Sequence, residues 1–147
     1  MRPLPGSQGR AALLGDLLSV LLAPYDDHGA FSGRIRVAVP RMGVGERSAT
    51  AIAMAFHELA TNSAKHGSLS SEAGALDLSG QGDEQTLTLT WAETGGPAVA
   101  EAPTLAGFGS KMVLMYLTGQ LGGSIAYDWQ VTGLVATVSL PLAALPL

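Results

Sequence analysis

Residues 48–67 read SATAIAMAFHELATNSAKHG, a run of Ala, Ile, Met, Phe and Leu into which His57, Glu58, Asn62, Lys65 and His66 are set. The spacing predicts a helix that begins near Gly45 to Ser48 and runs to His66, with Gly67 stopping it in a left-handed C-terminal cap. At about 100° per residue, Glu58, Asn62 and Lys65 fall within roughly 60° of one another, with His66 on the flank. Ile52, Phe56, Leu59 and Ser63 form a stripe roughly 120° away, the natural core face. Ala51 and Ala55 continue the polar line and leave room for something to lie against it. The helix therefore carries one apolar face and one face holding an acid, an amide and a base. Taken alone, that second face is also what a solvated surface with i,i+3 and i,i+4 neighbours looks like. The pair His57-Glu58 suggests a zinc protease, but Thr61 stands where a second histidine ligand is required.

Outward from this helix, AALLGDLLSVLLAPY reads as an amphipathic helix with Leu13, Leu14, Leu17, Leu21 and Leu22 on one side, ended by Pro24. RIRVAV alternates like a short strand closed by Pro40. ALDLSG and QTLTLTWAE are strand-like and separated by the turn QGDE, with Thr86, Thr88 and Thr90 alternating with Leu87 and Leu89. A Gly- and Pro-rich loop, TGGPAVAEAPTLAGFGS, leads into the helix KMVLMYLTGQL, which Gly122-Gly123 ends. SIAYDW and LVATVSL, joined by QVTG, close the chain as a second hairpin. The order predicts an α+β fold, a two-layer sandwich with helices packed on one face of a mixed sheet.

A chain of 147 residues suits one domain over 1–147 with a sizeable core. A net charge of -4 argues against a general nucleic-acid binder. Of the eight basic residues only Lys65 and Lys111 are lysines, so their placement carries weight. The absence of cysteine removes disulfide and thiolate-metal chemistry and suits a cytoplasmic setting. The N-terminal apolar run is broken by Asp16 and falls short of the ~20 residues a membrane span needs.

HELATNSAKHG, WAETGG and GFGS, in that order and spacing, closely resemble the nucleotide-binding boxes of a histidine-kinase catalytic domain. The particular resemblance is to the HWE family of the GHKL superfamily, marked by a His in the first box and Trp-x-Glu in the second. His57, Trp91 and Glu93 match these, and the similarity runs from about Leu13 to the closing PL. The resemblance implies the GHKL (Bergerat) type of two-layer sandwich, with ATP and Mg2+ as cofactors.

It also implies roles for individual residues. Asn62 would offer its side-chain oxygen to Mg2+, an ion that favours oxygen ligands shared among protein, water and phosphate. Glu58 would be the catalytic acid–base residue, ordering a water or helping to deprotonate the incoming nucleophile. Lys65 and His66 would lie near the phosphates, although an imidazole against the helix dipole explains His66 equally well. His57 points away from the polar face and would order local packing or the adjacent sheet. Glu93, in the pattern Glu93-Thr94-Gly95, would accept a hydrogen bond from the adenine amino group and reject the carbonyl of guanine. Gly95 and Gly96 would let the backbone approach the purine. Trp91 reads as a packing residue at the strand end. Gly107 and Gly109 would expose amides to phosphate at the helix start, with Lys111 adding charge there or serving as a surface lysine. Residues 97–106 would form a lid.

The implied activity is that of a protein-histidine kinase, transferring the γ-phosphoryl of ATP to a histidine on a helical domain and thence to a response regulator. None of His28, His57 and His66 has the context of that acceptor, so the chain reads as the catalytic domain alone, monomeric in isolation. The alternatives are a catalytically silent nucleotide-binding or docking module, and an ATPase that couples hydrolysis to protein movement.

Overall fold

The structure, a computed structural model, describes residues 12–26, 33–71, 73–97 and 108–146, with 108–110 described by backbone alone. The central helix, α2, spans Glu46–His66, within a residue or two of the span its sequence predicts. Ahead of it come the short strand β1 (Ala12–Leu13), helix α1 (Leu14–Asp26), β2 (Ile35–Ala38) and β3 (Gly43–Val44). After it come β4 (Ala75–Gly82), β5 (Thr86–Thr94), α3 (Phe108–Leu114), β6 (Ser124–Gln130) and β7 (Gly133–Pro141).

Five strands form one mixed sheet in the order β2-β4-β5-β7-β6, while β1 and β3 pair separately. β2 and β4 run parallel, which requires a long crossover, and α2 supplies it. The other neighbours are antiparallel, each hairpin closed by a tight turn. Strict alternation puts Leu87, Leu89 and Trp91 on the buried face of β5 and the three threonines on the other. In register across that face stand Leu78, Trp91, Ala136 and Tyr127. Leu14, Leu18 and Leu22 of α1, Ile52, Phe56 and Leu59 of α2, and Val113 of α3 complete the same core. The α+β sandwich of helices on a mixed sheet is therefore what the chain builds.

Several local expectations change. Leu13 belongs to β1, and it is Leu18 that completes the buried stripe of α1. Pro24 does not end α1, which continues to Asp26. The N–H it lacks would have met the carbonyl of Val20, a residue 75% exposed, where water can substitute. α3 starts three residues earlier than Lys111 and continues as a π-helical segment over Met115–Gln120. Gly122 does end it as expected, at φ +69, its N–H returning to Thr118 O at 3.1 Å. No helix among the described residues is long and apolar enough to cross a membrane.

Two polar devices fix connections that apolar packing leaves loose. Arg34, just before β2, donates to Ser71 O at 2.7 Å, Leu69 O at 2.9 Å and Tyr25 O at 3.3 Å. It thereby pins the end of α1 and the turn after α2 to the sheet edge. Removing the guanidinium takes away three charge-assisted bonds, so Arg34→Ala should cost about 2–3 kcal/mol, read by urea unfolding. In the β4–β5 turn, Asp83 Oδ1 accepts the N–H groups of Gln85 at 2.7 Å and Thr86 at 2.8 Å. These bonds, the one from Gln85 foremost, hold its carboxyl below the usual aspartate range. A lowered folded value means that the turn gains stability above the unfolded value and loses it as pH falls through the folded one. An NMR titration of the Gln85 and Thr86 amides should therefore show a midpoint below that of an unstructured aspartate. A midpoint at or above that value would contradict the turn.

Candidate functional site

The site is built where the end of β5 meets the end of α2. Trp91 and Glu93 lie two apart on β5 and so share the helix-facing side. Trp91 is fully buried and packs its ring against Phe56, centroids 5.9 Å apart. Glu93 is only 4% exposed, an unusual place for a carboxylate unless donors satisfy it. Two do. The Trp91 indole donates Nε1–H to Glu93 Oε2 at 2.7 Å, and the Ser68 backbone N–H donates to Oε1 at 3.0 Å. Both donors are neutral, and no cationic side chain among the described residues pairs with this carboxylate. Trp91 is thus the packing residue its position suggests, and a hydrogen-bond donor as well.

Ser68 belongs to the turn that follows α2. Gly67 does not take the expected left-handed cap; its backbone is extended, at φ -108 and ψ -153. A Cβ there would meet Glu93 Oε1, so glycine is the residue that leaves the carboxylate where it stands. The next residues form a 3-10 turn, Ser68–Ser70, held from inside by Ser63. Ser63 Oγ accepts the Leu69 N–H at 3.2 Å, and Arg34 grips the carbonyls of Leu69 and Ser71 from outside. Gly96 presses on the same turn, where a Cβ would lie 2.5 Å from Ser68 Cα. Gly95 turns the chain out of β5 at φ +77, with a Cβ position 2.6 Å from Ala73 O. The close approaches that these two glycines permit are thus to neighbouring backbone.

The polar face of α2 is narrower than the helical wheel suggests. Ala51 and Ala55, expected to leave open space, are 2% and 0% exposed. With α1 and α3 packed against α2, the buried arc widens to include them. Glu58 and Asn62 stand at the margin of that arc, half-buried, while Lys65 and His66 in the last turn are exposed. Among the described residues, no side-chain hydrogen bond or ion pair engages Glu58, Asn62 or Lys65. His57 is exposed and so orders neither packing nor the sheet. No group of three or more His, Asp or Glu among the described residues could hold a metal ion by itself.

Gly107 and the lid residues 98–106 lie outside the described residues. Gly109 falls in the first turn of α3, and Lys111 is exposed on the same helix. The structure therefore joins the turn after the first box to the second box, through Ser68 and Glu93, and sets Phe108 to Ser110 of the third in α3, a helix packed against α2. Ser63 is buried on the core face as its spacing predicts, but its bond to the turn, and the parts played by Ser68 and Arg34, have no counterpart in the sequence reading. Only their tertiary positions show what they do, because a serine or arginine beside a turn carries no such signal.

The chain is similar in sequence to blue-light-activated histidine kinases. It is 36% identical to one from Erythrobacter litoralis over 134 residues, covering 90% of this chain and 36% of that protein. It is 34% identical to another from Brucella anthropi over 135 residues, covering 89% of this chain and 27% of the relative. The chain thus spans about a third or less of the curated relatives it matches. No family model matches it. Among solved structures, the histidine kinase domain of an Erythrobacter litoralis blue-light activated histidine kinase superposes with a TM-score of 0.74 at 23% identity, covering 94% of this chain and 68% of that one. The catalytic domain of the histidine kinase ThkA gives a TM-score of 0.66 at 16% identity, covering 90% of this chain and 95% of that one. The chain has the fold of a histidine-kinase catalytic domain and is related in sequence to the blue-light-activated histidine kinases.

Proposed function

We propose that the chain binds ATP with Mg2+ and is the catalytic domain of an HWE-type sensor histidine kinase. It would present the γ-phosphoryl to a histidine on a helical acceptor domain, from which it passes to a response regulator. The observation that carries this reading is the joint between Ser68 and Glu93, whose partners are 25 positions apart. That joint sets the polar end of α2 beside a carboxylate at the end of β5. Acid and amide on one side, and a dry acceptor on the other, suit the two ends of a nucleotide.

The roles follow from chemistry and exposure. Glu93 accepts from the adenine amino group, because a buried acceptor discriminates strongly against a second acceptor. Gly95 turns the chain away from the strand beside it. Asn62, half-buried and unengaged among the described residues, offers one neutral oxygen. That fits Mg2+, which takes most of its ligands from water and phosphate and needs no all-protein cage. The ion would offset phosphate charge. Lys65 and His66, exposed in the last turn, do the same from the protein side. Glu58, one turn before Asn62, orders water or takes the proton of the incoming nucleophile. Gly107, Gly109 and Lys111 supply backbone amides and charge at the phosphate end. Phosphoryl transfer of this kind is mainly positioning and charge neutralisation, which such a set can provide.

Calorimetric titration with ATP, with and without Mg2+, tests the reading. Asn62→Ala should lose the Mg2+-dependent part of the affinity, a weakening of roughly tenfold or more. Glu93→Ala should weaken ATP by roughly ten- to a hundredfold while leaving GTP, already rejected, nearly unaffected. With a helical acceptor domain added, labelled γ-phosphate should move to its histidine. Mg2+-independent binding, or binding without transfer, would point to a docking module instead.

A further inference from the structure

The Trp91 indole is the group that aims Glu93, and we propose that Trp91 is a positioning residue for purine selectivity. The inference rests on the ATP-binding reading above and adds a residue to it. A glutamate side chain has three torsions, and ordering it on binding costs affinity unless it is already ordered. Here the ordering is done in advance. Oε2 takes the indole N–H at 2.7 Å and Oε1 takes the Ser68 N–H at 3.0 Å, so the plane of the carboxylate is fixed from two sides. Each oxygen keeps a further lone pair for a ligand donor. The two anchors differ in kind. Ser68 lies in a turn held by Ser63 and Arg34, whereas Trp91 is held by the core, fully buried against Phe56.

The positions on β5 explain why this pair is possible. Residues two apart on a strand point the same way, and the glutamate arm is long enough to reach the indole edge. A phenylalanine at position 91 would keep a ring against Phe56 and remove the donor, along with the volume of the second indole ring, a loss that both nucleotides would feel alike. Loss of the donor would leave a carboxylate held at one oxygen and free to turn.

The test compares ATP with purine riboside triphosphate, which lacks the 6-amino group, on wild-type and Trp91→Phe chains. The wild type should prefer ATP. In Trp91→Phe the ATP affinity should fall roughly tenfold further than that for the 6-unsubstituted analogue, so the preference collapses. An equal loss for both nucleotides would mean a purely structural residue, and an intact preference would mean no role; either overturns the proposal. If Trp91→Phe does not fold, Gly67→Ala tests the same aim from the other oxygen, because its Cβ would displace Oε1. It should show the same selective loss. The wild-type indole N–H resonance gives a readout without nucleotide. It should shift upfield and exchange faster in Glu93→Ala, and an unmoved signal overturns the hydrogen bond itself. A wild-type chain that binds no purine triphosphate, with the indole signal behaving as expected, would remove the kinase reading and the selectivity role. It would leave Trp91 as an anchor of the carboxylate.

Discussion

One buried carboxylate organises this end of the molecule. Glu93 is almost wholly withdrawn from water and carries no ion-pair partner among the described residues, so its stability depends on the hydrogen bonds it accepts. Those bonds come from two different layers, the sheet through Trp91 and the helix layer through Ser68. Removing one donor would leave a partly satisfied buried charge, which costs more than the bond contributes when formed. The carboxylate thus acts as a fastener between α2 and β5, and everything nearby is shaped to let it sit there. At Gly67 a Cβ would meet Oε1 and push the carboxylate aside. Gly96 has no side chain because the turn occupies the space.

The fastener also explains why the turn after α2 is so heavily braced. Its N–H groups point inward, one to Glu93 and one to Ser63, and its carbonyls point out to Arg34. Arg34 in turn reaches Tyr25 at the end of α1. A single chain of hydrogen bonds therefore runs from α1 through the turn to the strand that carries Trp91. The polar end of α2, with Asn62, Lys65 and His66, opens directly into this braced turn. A side chain on a stiff helix leading into a fixed turn is better placed for binding than one on a loose loop.

Much of this was legible in the sequence, for identifiable reasons. The bounds of α2 could be read because an apolar stripe of period 3.6 runs between two glycines. Leu87, Leu89 and the three threonines fixed the orientation of β5, since alternation has only two solutions. The sandwich followed from the order of elements. What could not be read depends on tertiary register. A helical wheel does not know that α1 and α3 flank α2, so it assigned Ala51 and Ala55 to an open face when they are buried. Gly67 looked like a left-handed cap because that is glycine's commonest use at a helix end; the reason for it lies across the fold, in Glu93. Trp91 was rightly placed as packing, but its N–H could be assigned only once Glu93 was seen beside it. Pro24 misled because the carbonyl it deprives belongs to the exposed Val20.

The most direct test of this account is amide hydrogen exchange at Ser68, measured in the wild type and in Glu93→Ala. If the carboxylate fastens the helix layer to the sheet, the Ser68 amide should be protected to a degree comparable with β5 in the wild type. It should become freely exchanging in the variant, while the amides of β4 and β7 keep their protection. A Ser68 amide that exchanges like an open turn in the wild type, or one indifferent to the loss of Glu93, would contradict it.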